Sequence, residues 1–265
     1  TVGMPVTTRG AGTSCAGNAV GPGLILDMSR HLNRILEIDP EAGAARVEPG
    51  VVQSALQATA APYGLRFGPD PSTHNRCTIG GMIGNNACGP RALGYGRTAD
   101  NVIGLEMITG SGEHVRLDGT TNRDHYGSLA ALKSVVQANL GIIRTEFGRF
   151  GRQVSGYSLE HLLPENRFDV TRFLAGSEGT LAVIIGAIEL VCRRGEMLLI
   201  QNRRVNWETC QIGIPGATTK DKENRRVPFN PEGRLAAVLK RRSTLGPDAF
   251  VFGSERYGLA NEDVY

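Results

Sequence analysis

Apolar positions along this chain change period every few residues. Residues 24–27 (LILD) are a continuous apolar run closed by an acid, which predicts a short buried strand, and residues 2–8 predict another. Residues 35–39 and 44–47 flank the turn sequence DPEAG and predict a strand pair. After Pro49 and Gly50, Val52, Leu56 and Ala60 fall one helical turn apart, with Pro62 and Gly64 marking the end; this predicts a helix. Residues 101–109 and 113–117 flank GSG and predict a hairpin, 129–140 a helix, and 181–191 a further strand. Strands and helices interleave without an internal repeat, so the class is α/β or α+β.

Composition narrows the picture. A chain of 265 residues with 40% hydrophobic content buries a core of one large domain or two smaller ones. The longest aliphatic run, residues 181–188, stops at Glu189, short of the roughly 18 to 20 apolar residues that cross a bilayer, so no membrane span is expected. The opening TVGMPVTTRG has no apolar signal core, and its lack of an initial methionine predicts a fragment. Five cysteines, odd in number and without CxxC spacing, argue against a disulfide framework or a zinc site and fit a reducing cytoplasm. The histidines show no HxxxH or HExxH spacing, and no metal site is expected. Residues 192–265 hold 13 Lys+Arg against 9 Asp+Glu, so the excess positive charge belongs to the tail; a solvated basic face accounts for it better than a nucleic-acid surface does.

The candidate chemistry sits in three glycine-rich segments: residues 9–18 (RGAGTSCAGN), 68–89 (GPDPSTHNRCTIGGMIGNNACG) and 176–181 (GSEGTL). Small side chains let the backbone approach a ligand and offer N–H groups to anionic oxygens, as a pyrophosphate requires. Any one cluster could simply mark turns. The first matches neither familiar nucleotide motif. After Gly10 and Gly12 the next glycine is Gly17, which breaks GxGxxG, and Asn18 stands where a P-loop needs lysine.

As an ordered set, PVTTRGAGTSCAG, PDPSTHNRCTIGGMIGNNACG, RQVSGYSLEHLLPEN and GSEGTLAVI resemble the FAD-binding domain of the vanillyl-alcohol oxidase (PCMH-type) flavoproteins, in the D-lactate dehydrogenase and glycolate oxidase branch. The resemblance covers residues 1–191. It implies an α+β fold of two α/β subdomains, truncated at its N-terminus and without the cap domain that follows in the family. It implies that Gly10, Ala11, Gly12, Thr13 and Ser14, with Gly17 and Asn18, wrap the FAD pyrophosphate. Arg9 either adds charge there or makes a surface ion pair. Asp70, Pro71, Ser72 and Thr73 would hold ribityl or phosphate groups. Gly80, Gly81, Asn85, Asn86, Ala87 and Cys88 would bring backbone close to the cofactor, and Glu178, Gly179, Thr180 and Ile184 would meet the adenine or ring edge. Thr13 occupies the place of a histidine that links FAD covalently in some members, which implies noncovalent FAD. The implied reaction is oxidation of a small 2-hydroxy acid with electrons passing to an acceptor; no catalytic residue is assigned. His74 lies inside the second segment but reads as structural or exposed, and Tyr157 as a core residue, with packing near the flavin as its alternative.

Beyond residue 191 the wording changes. RRGEML and TTKDKENRRVP, followed by an amphipathic stretch over 232–242, resemble part of a tyrosine recombinase (phage integrase) catalytic domain. The resemblance implies that Arg193 and Lys220 are phosphate-binding residues on a small α/β tail. No HxxR follows, and neither Tyr257 nor Tyr265 sits in a nucleophile context. DNA is therefore a partner only in the runner-up reading, a recombinase remnant fused to an inert flavin domain.

Overall fold

A computed structural model of the chain describes residues 3–90, 92–117, 127–149, 156–193, 202–214, 225–228, 230–232, 234–244 and 246–247. The chain folds as two compact units, Thr1–Cys192 and Arg193–Tyr265.

In the first unit, β3 (Ile35–Asp39), β4 (Ala44–Val47), β6 (Val102–Thr109), β7 (His114–Leu117) and β8 (Ala182–Arg193) form a sheet in the order β3-β4-β8-β6-β7; β5 (Leu65–Phe67) also pairs with β8. Every neighbour along that order is antiparallel. The β3–β4 turn forms because Asp39 Oδ1 accepts from the N–H groups of Glu41 and Ala42, both at 2.9 Å, an Asx turn written in the DPEAG sequence. The register then aligns Val47, Ala187, Leu105 and Leu117 across four strands, and all four are buried. Cross-strand rows of this kind are the unit of sheet stabilisation.

Helix α1 (Gln53–Ala60) buries Gln53, Leu56 and Ala60 as one face. Of the predicted apolar trio, Val52 is the residue before the helix and bridges to Thr78. The Gln57 side-chain amide extends the β5 pairing, donating to Phe67 O at 2.7 Å and accepting from Phe67 N–H at 3.1 Å. Helix α2 (Ile79–Asn85) is IGGMIGN, a poor helix former on propensity alone. It forms because Thr78 caps it, accepting from Gly81 N–H at 3.3 Å, and because Ile79, Met82 and Ile83 are buried. Fully burying one such side chain contributes about 1.5–3 kcal/mol. Its end is set by Asn86 at φ +47°, whose Oδ1 accepts from Ala99 N–H at 3.0 Å.

The short helix α3 (Ala92–Tyr95) precedes β6. The predicted helix over 129–140 is two helices, α4 (Gly127–Ala138) and α5 (Leu140–Glu146), separated at Asn139, whose side-chain amide turns back to Val135 O at 2.8 Å. Helix α6 (Val170–Leu174) is capped by Asp169, which accepts from Arg172 N–H at 3.0 Å.

One expectation is corrected. The LILD run does form a strand, β2 (Leu24–Asp27), paired in parallel with β1 (Val6–Arg9), but it is not buried: Leu24 is 48% and Ile25 40% exposed. Parallel strands carry apolar residues on both faces, so the sequence reads as burial. Among the described residues this pair is a two-stranded sheet on its own, with no other strand beside it.

In the second unit, β9 (Val205–Asn206), β10 (Gln211–Ile214) and β11 (Arg225–Pro228) form an antiparallel sheet in the order β11-β10-β9. The predicted amphipathic stretch becomes α7 (Arg234–Ser243), with Ala236 and Leu239 buried and Lys240 Nζ 5.8 Å from the Trp207 ring centre. Arg193 is the last residue of β8; Lys220, Tyr257 and Tyr265 lie outside the described residues.

Candidate functional site

The three glycine-rich segments meet at one cleft of about 290 Å³. Its first wall follows directly from β1. The strand runs out at Arg9, and residues 10–14 continue as a loop whose position is fixed from below by Met28 N–H donating to Arg9 O at 2.9 Å. Among the described residues, none of the backbone N–H groups of Gly10, Ala11, Gly12, Thr13 and Ser14 has a protein acceptor. Five consecutive uncommitted donors at a cleft form an anion-binding surface.

The second wall is α2 and the residues after it. Here the N–H groups at the helix start are already committed: Ile79 donates to Val51 O and Gly80 to Pro49 O, both at 2.8 Å, while Gly81 donates to the Thr78 cap. The helix therefore contributes shape, and the loop contributes the free donors. Contact between the two walls is close. A Cβ on Gly10 would lie 2.1 Å from Thr78 Oγ1, so the loop reaches this position only because residue 10 has no side chain.

The third wall is the 176–179 turn, with Gly176 at φ +97°, Glu178 at +55° and Gly179 at +72°. It docks on the last turn of α2 through Gly176 N–H to Ile83 O at 2.8 Å and Glu178 N–H to Gly84 O at 2.9 Å. The Glu178 carboxylate accepts from the Asn18 amide through one oxygen and from the Asn85 amide, at 2.8 Å, through the other. Burial pushes the Glu178 carboxyl above the usual carboxylate range, and the bonds from Asn18 and Asn85 act against that rise.

Of the expected residues, Arg9, Gly10, Ala11, Gly12, Thr13, Ser14 and Asn18 line the cleft, as do Pro71 and Thr73. So do Gly80, Gly81, Asn85, Asn86, Ala87 and Cys88, and from the third segment Glu178, Gly179 and Ile184. Gly17, Asp70, Ser72 and Thr180 do not. Asp70 instead accepts from Arg66 Nη2 at 3.1 Å, and Thr180 Oγ1 pairs with the Tyr157 hydroxyl at 2.7 Å. Tyr157 is not a core residue: it is 41% exposed, with its ring tilted against Phe173 at 6.1 Å. His74 is half exposed, its Nδ1 4.0 Å from Asp70 Oδ1, and stands outside the lining. Arg9 lines the cleft, and its guanidinium lies over Gly12.

Sequence reasoning missed Thr78, Cys77, Met28, Pro49 and Gly84, all of which line the cleft. Thr78 carried a signal, a cap residue directly before the apolar start of α2. Met28 and Pro49 carried none, since only the tertiary fold brings them here. Cys77 is buried, and that burial pushes its thiol above the ordinary range.

Residues 2–118 match a family model described as an FAD binding domain. The D-2-hydroxyglutarate dehydrogenase of Escherichia coli (strain K12) is 40% identical over 244 residues, covering 88% of this chain and 23% of that protein. The matched stretch is longer than the first unit and so takes in part of the second. The glycolate oxidase subunit GlcD of Bacillus subtilis (strain 168) is 35% identical over 186 residues, 70% of this chain and 31% of that protein. The chain thus spans less than a third of the length of either relative. A solved structure of alkyldihydroxyacetonephosphate synthase, 18% identical, covers 71% of this chain and 27% of its own at a TM-score of 0.49. Among the described residues no helix is long and apolar enough to cross a membrane. Residues 2–118 match the FAD-binding-domain model, and the cofactor that the match and these relatives support is FAD.

Proposed function

We propose that the cleft holds FAD noncovalently, with the amides of Gly10 to Ser14 on its pyrophosphate, and that the domain serves the oxidation of a small D-2-hydroxy acid of the 2-hydroxyglutarate or glycolate class. The observation that carries this reading is the run of N–H groups without a protein acceptor in the loop of residues 10–14 that lines the cleft. The activities for which the relatives are named supply the substrate class. FAD supplies the hydride acceptor for oxidation at the substrate Cα. The chain's own part is to fix that cofactor. Loop amides take the phosphate oxygens, Thr13 and Ser14 offer hydroxyls, and Pro71, Ala182 and Ile184 present apolar surface. The reaction further needs a base for the hydroxyl proton and a cation for the carboxylate, and no residue of this cleft is assigned to either. No histidine is among the lining residues, and Thr13 stands at the loop position, in keeping with noncovalent attachment.

The test is titration of the purified chain with FAD, followed by denaturation. Saturable quenching of flavin fluorescence, with all flavin recovered in the supernatant after acid precipitation, is the expected result. Absence of saturation refutes cofactor binding, and flavin that stays with the pellet refutes the noncovalent form. Bleaching of the bound flavin by a D-2-hydroxy acid under anaerobic conditions tests the substrate class.

A second reading concerns the tail. Strands β10 and β11 pair antiparallel, with Ile214 opposite Arg225, and Lys220 lies outside the described residues. DNA as the tail's partner rests on the recombinase resemblance of residues 192–265 alone, and the dehydrogenase match extends into those residues. Salt-sensitive DNA binding that disappears on deletion of residues 193–265 is the required outcome.

A further inference from the structure

Glu178 joins all three glycine segments. Its backbone N–H holds Gly84 O at 2.9 Å, one carboxylate oxygen accepts from Asn85 on α2, and the other accepts from Asn18 at the far end of the first loop. The connection continues into that loop, since Ser14 Oγ donates to Asn18 Oδ1 at 3.3 Å. These partners are 93 and 160 residues away in sequence, so no local turn preference explains them. The backbone is also committed to this arrangement. Glu178 takes a left-handed conformation, costly for a residue with a side chain, and the next residue has no room for one, because a Cβ on Gly179 would lie 2.9 Å from Thr8 Oγ1.

We propose that Glu178 is a positioning residue, a clasp that ties the pyrophosphate loop to α2 and holds its free amides in place before the cofactor arrives, in contrast to a role in reading adenine. The argument is one of pre-organisation. A loop of small residues with five unpaired N–H groups has many conformations, and ordering it on binding would weaken the affinity for its ligand. A carboxylate that accepts two amide hydrogen bonds removes that cost in advance, and bonds to a charged acceptor are the stronger kind. The inference rests on the FAD reading of the cleft only for its affinity readout.

The full chain, Glu178→Ala, Glu178→Gln, Asn18→Ala and the Glu178→Ala/Asn18→Ala double variant are titrated with FAD by flavin fluorescence. Each alanine variant should bind about 10- to 100-fold more weakly, the effect of losing a charge-assisted hydrogen bond. The double variant should bind no worse than the weaker single variant, because both substitutions open the same clasp. Glu178→Gln should fall between wild type and alanine, since a glutamine amide pairs with an asparagine amide in either orientation. In parallel, tryptic cleavage after Arg9 is timed without FAD. It should be faster in both alanine variants and partly restored in Glu178→Gln. Unchanged cleavage, or penalties on FAD affinity that add in the double variant, overturns the clasp. Failure of the wild-type chain to bind FAD refutes the cofactor reading instead, and the cleavage rates still decide the clasp. Asn18 lies on the loop itself, so its variant decides the question even where Glu178→Ala does not fold.

Discussion

Gly10→Ala probes the contact on which the cleft is built. The backbone at residue 10 is not in the left-handed region, so alanine meets no conformational penalty there and the effect is steric alone. The added methyl would sit 2.1 Å from Thr78 Oγ1, 3.3 Å from its Cβ and 3.4 Å from its Cγ2. Thr78 is 1% exposed and caps α2 through Gly81, so it has nowhere to rotate without giving up the cap. Loss of a threonine cap costs about 1 kcal/mol, and forcing a methyl into a packed contact adds about 1–3 kcal/mol. Gly10→Ala should therefore lower stability by roughly 2–4 kcal/mol or shift the loop off α2 and weaken FAD binding. Urea denaturation of the apoprotein measures the first outcome and fluorescence titration the second. A second substitution isolates the cause. In a Thr78→Ala background the 2.1 Å clash is gone, and the remaining 3.3 Å contact is tight but tolerable, so Gly10→Ala should cost about 1–2 kcal/mol less there than in wild type. If Gly10→Ala leaves both the urea midpoint and FAD affinity unchanged, or if Thr78→Ala fails to relieve it, the close packing of loop on helix is wrong.

Gly89→Ala should be more severe, because its Cβ would fall 1.7 Å from Asp70 O and 2.2 Å from Asp70 C, main-chain atoms that cannot rotate away; a loss of about 3 kcal/mol or more, or failure to fold, is expected on denaturation. His161 is held below the usual histidine range, first by burial, with Arg172 and Arg97 adding to the effect against Glu160 and Asp169. The unfolded chain then takes up a proton below about pH 6.5 that the folded chain resists, so stability should fall as pH drops through that range. Urea midpoints at pH 7.5 and 5.5 should diverge less in His161→Gln than in wild type. Arg144 bonds Glu165 at 2.8 Å and holds its carboxyl at about 2. Its contribution is present above pH 4.5 and is lost as pH falls towards 2, but both side chains are about half exposed, so Arg144→Ala should change stability little and not at all in high salt.

The parts legible in the sequence are those governed by local chemistry. The β3–β4 pair was marked by DPEAG, whose aspartate makes the turn in the structure. The glycine segments were legible because a phosphate-binding backbone needs small residues wherever it lies in the fold. Of the residues expected in the first loop, all but Gly17 line the cleft. Residues 70–73 show the limit: the resemblance implied all four, but Asp70 accepts from Arg66, and the lining keeps Pro71 and Thr73 alone. The LILD run failed in the opposite way. Its hydrophobicity reads as burial, whereas among the described residues the strand pairs with β1 alone and leaves Leu24 and Ile25 exposed. Glu178 was placed among ligand contacts by the resemblance of GSEGTLAVI. Its bonds to Asn18 and Asn85 depend on two distant segments meeting, and no period or motif encodes that.

The charges at the cleft bear on how the phosphates are recognised. Among the lining residues the only formal charges are Arg9 and Glu178, one of each sign, so the site offers a dianionic pyrophosphate no net cationic field. Attraction must come from oriented N–H dipoles, which act only at contact distance and only if the loop holds its shape. This explains why the chain commits a carboxylate to the rim of an anion site, a choice that would be self-defeating if charge were the source of affinity. Bonded by two amides, Glu178 is worth more as an anchor for the donors than it costs as a repulsive neighbour. A site recognised by charge loses affinity steeply with salt, whereas one recognised by fixed dipoles does not. FAD affinity of this chain should accordingly vary little with ionic strength while remaining sensitive to any change that loosens the loop, and a steep salt dependence would place the binding energy on Arg9 instead.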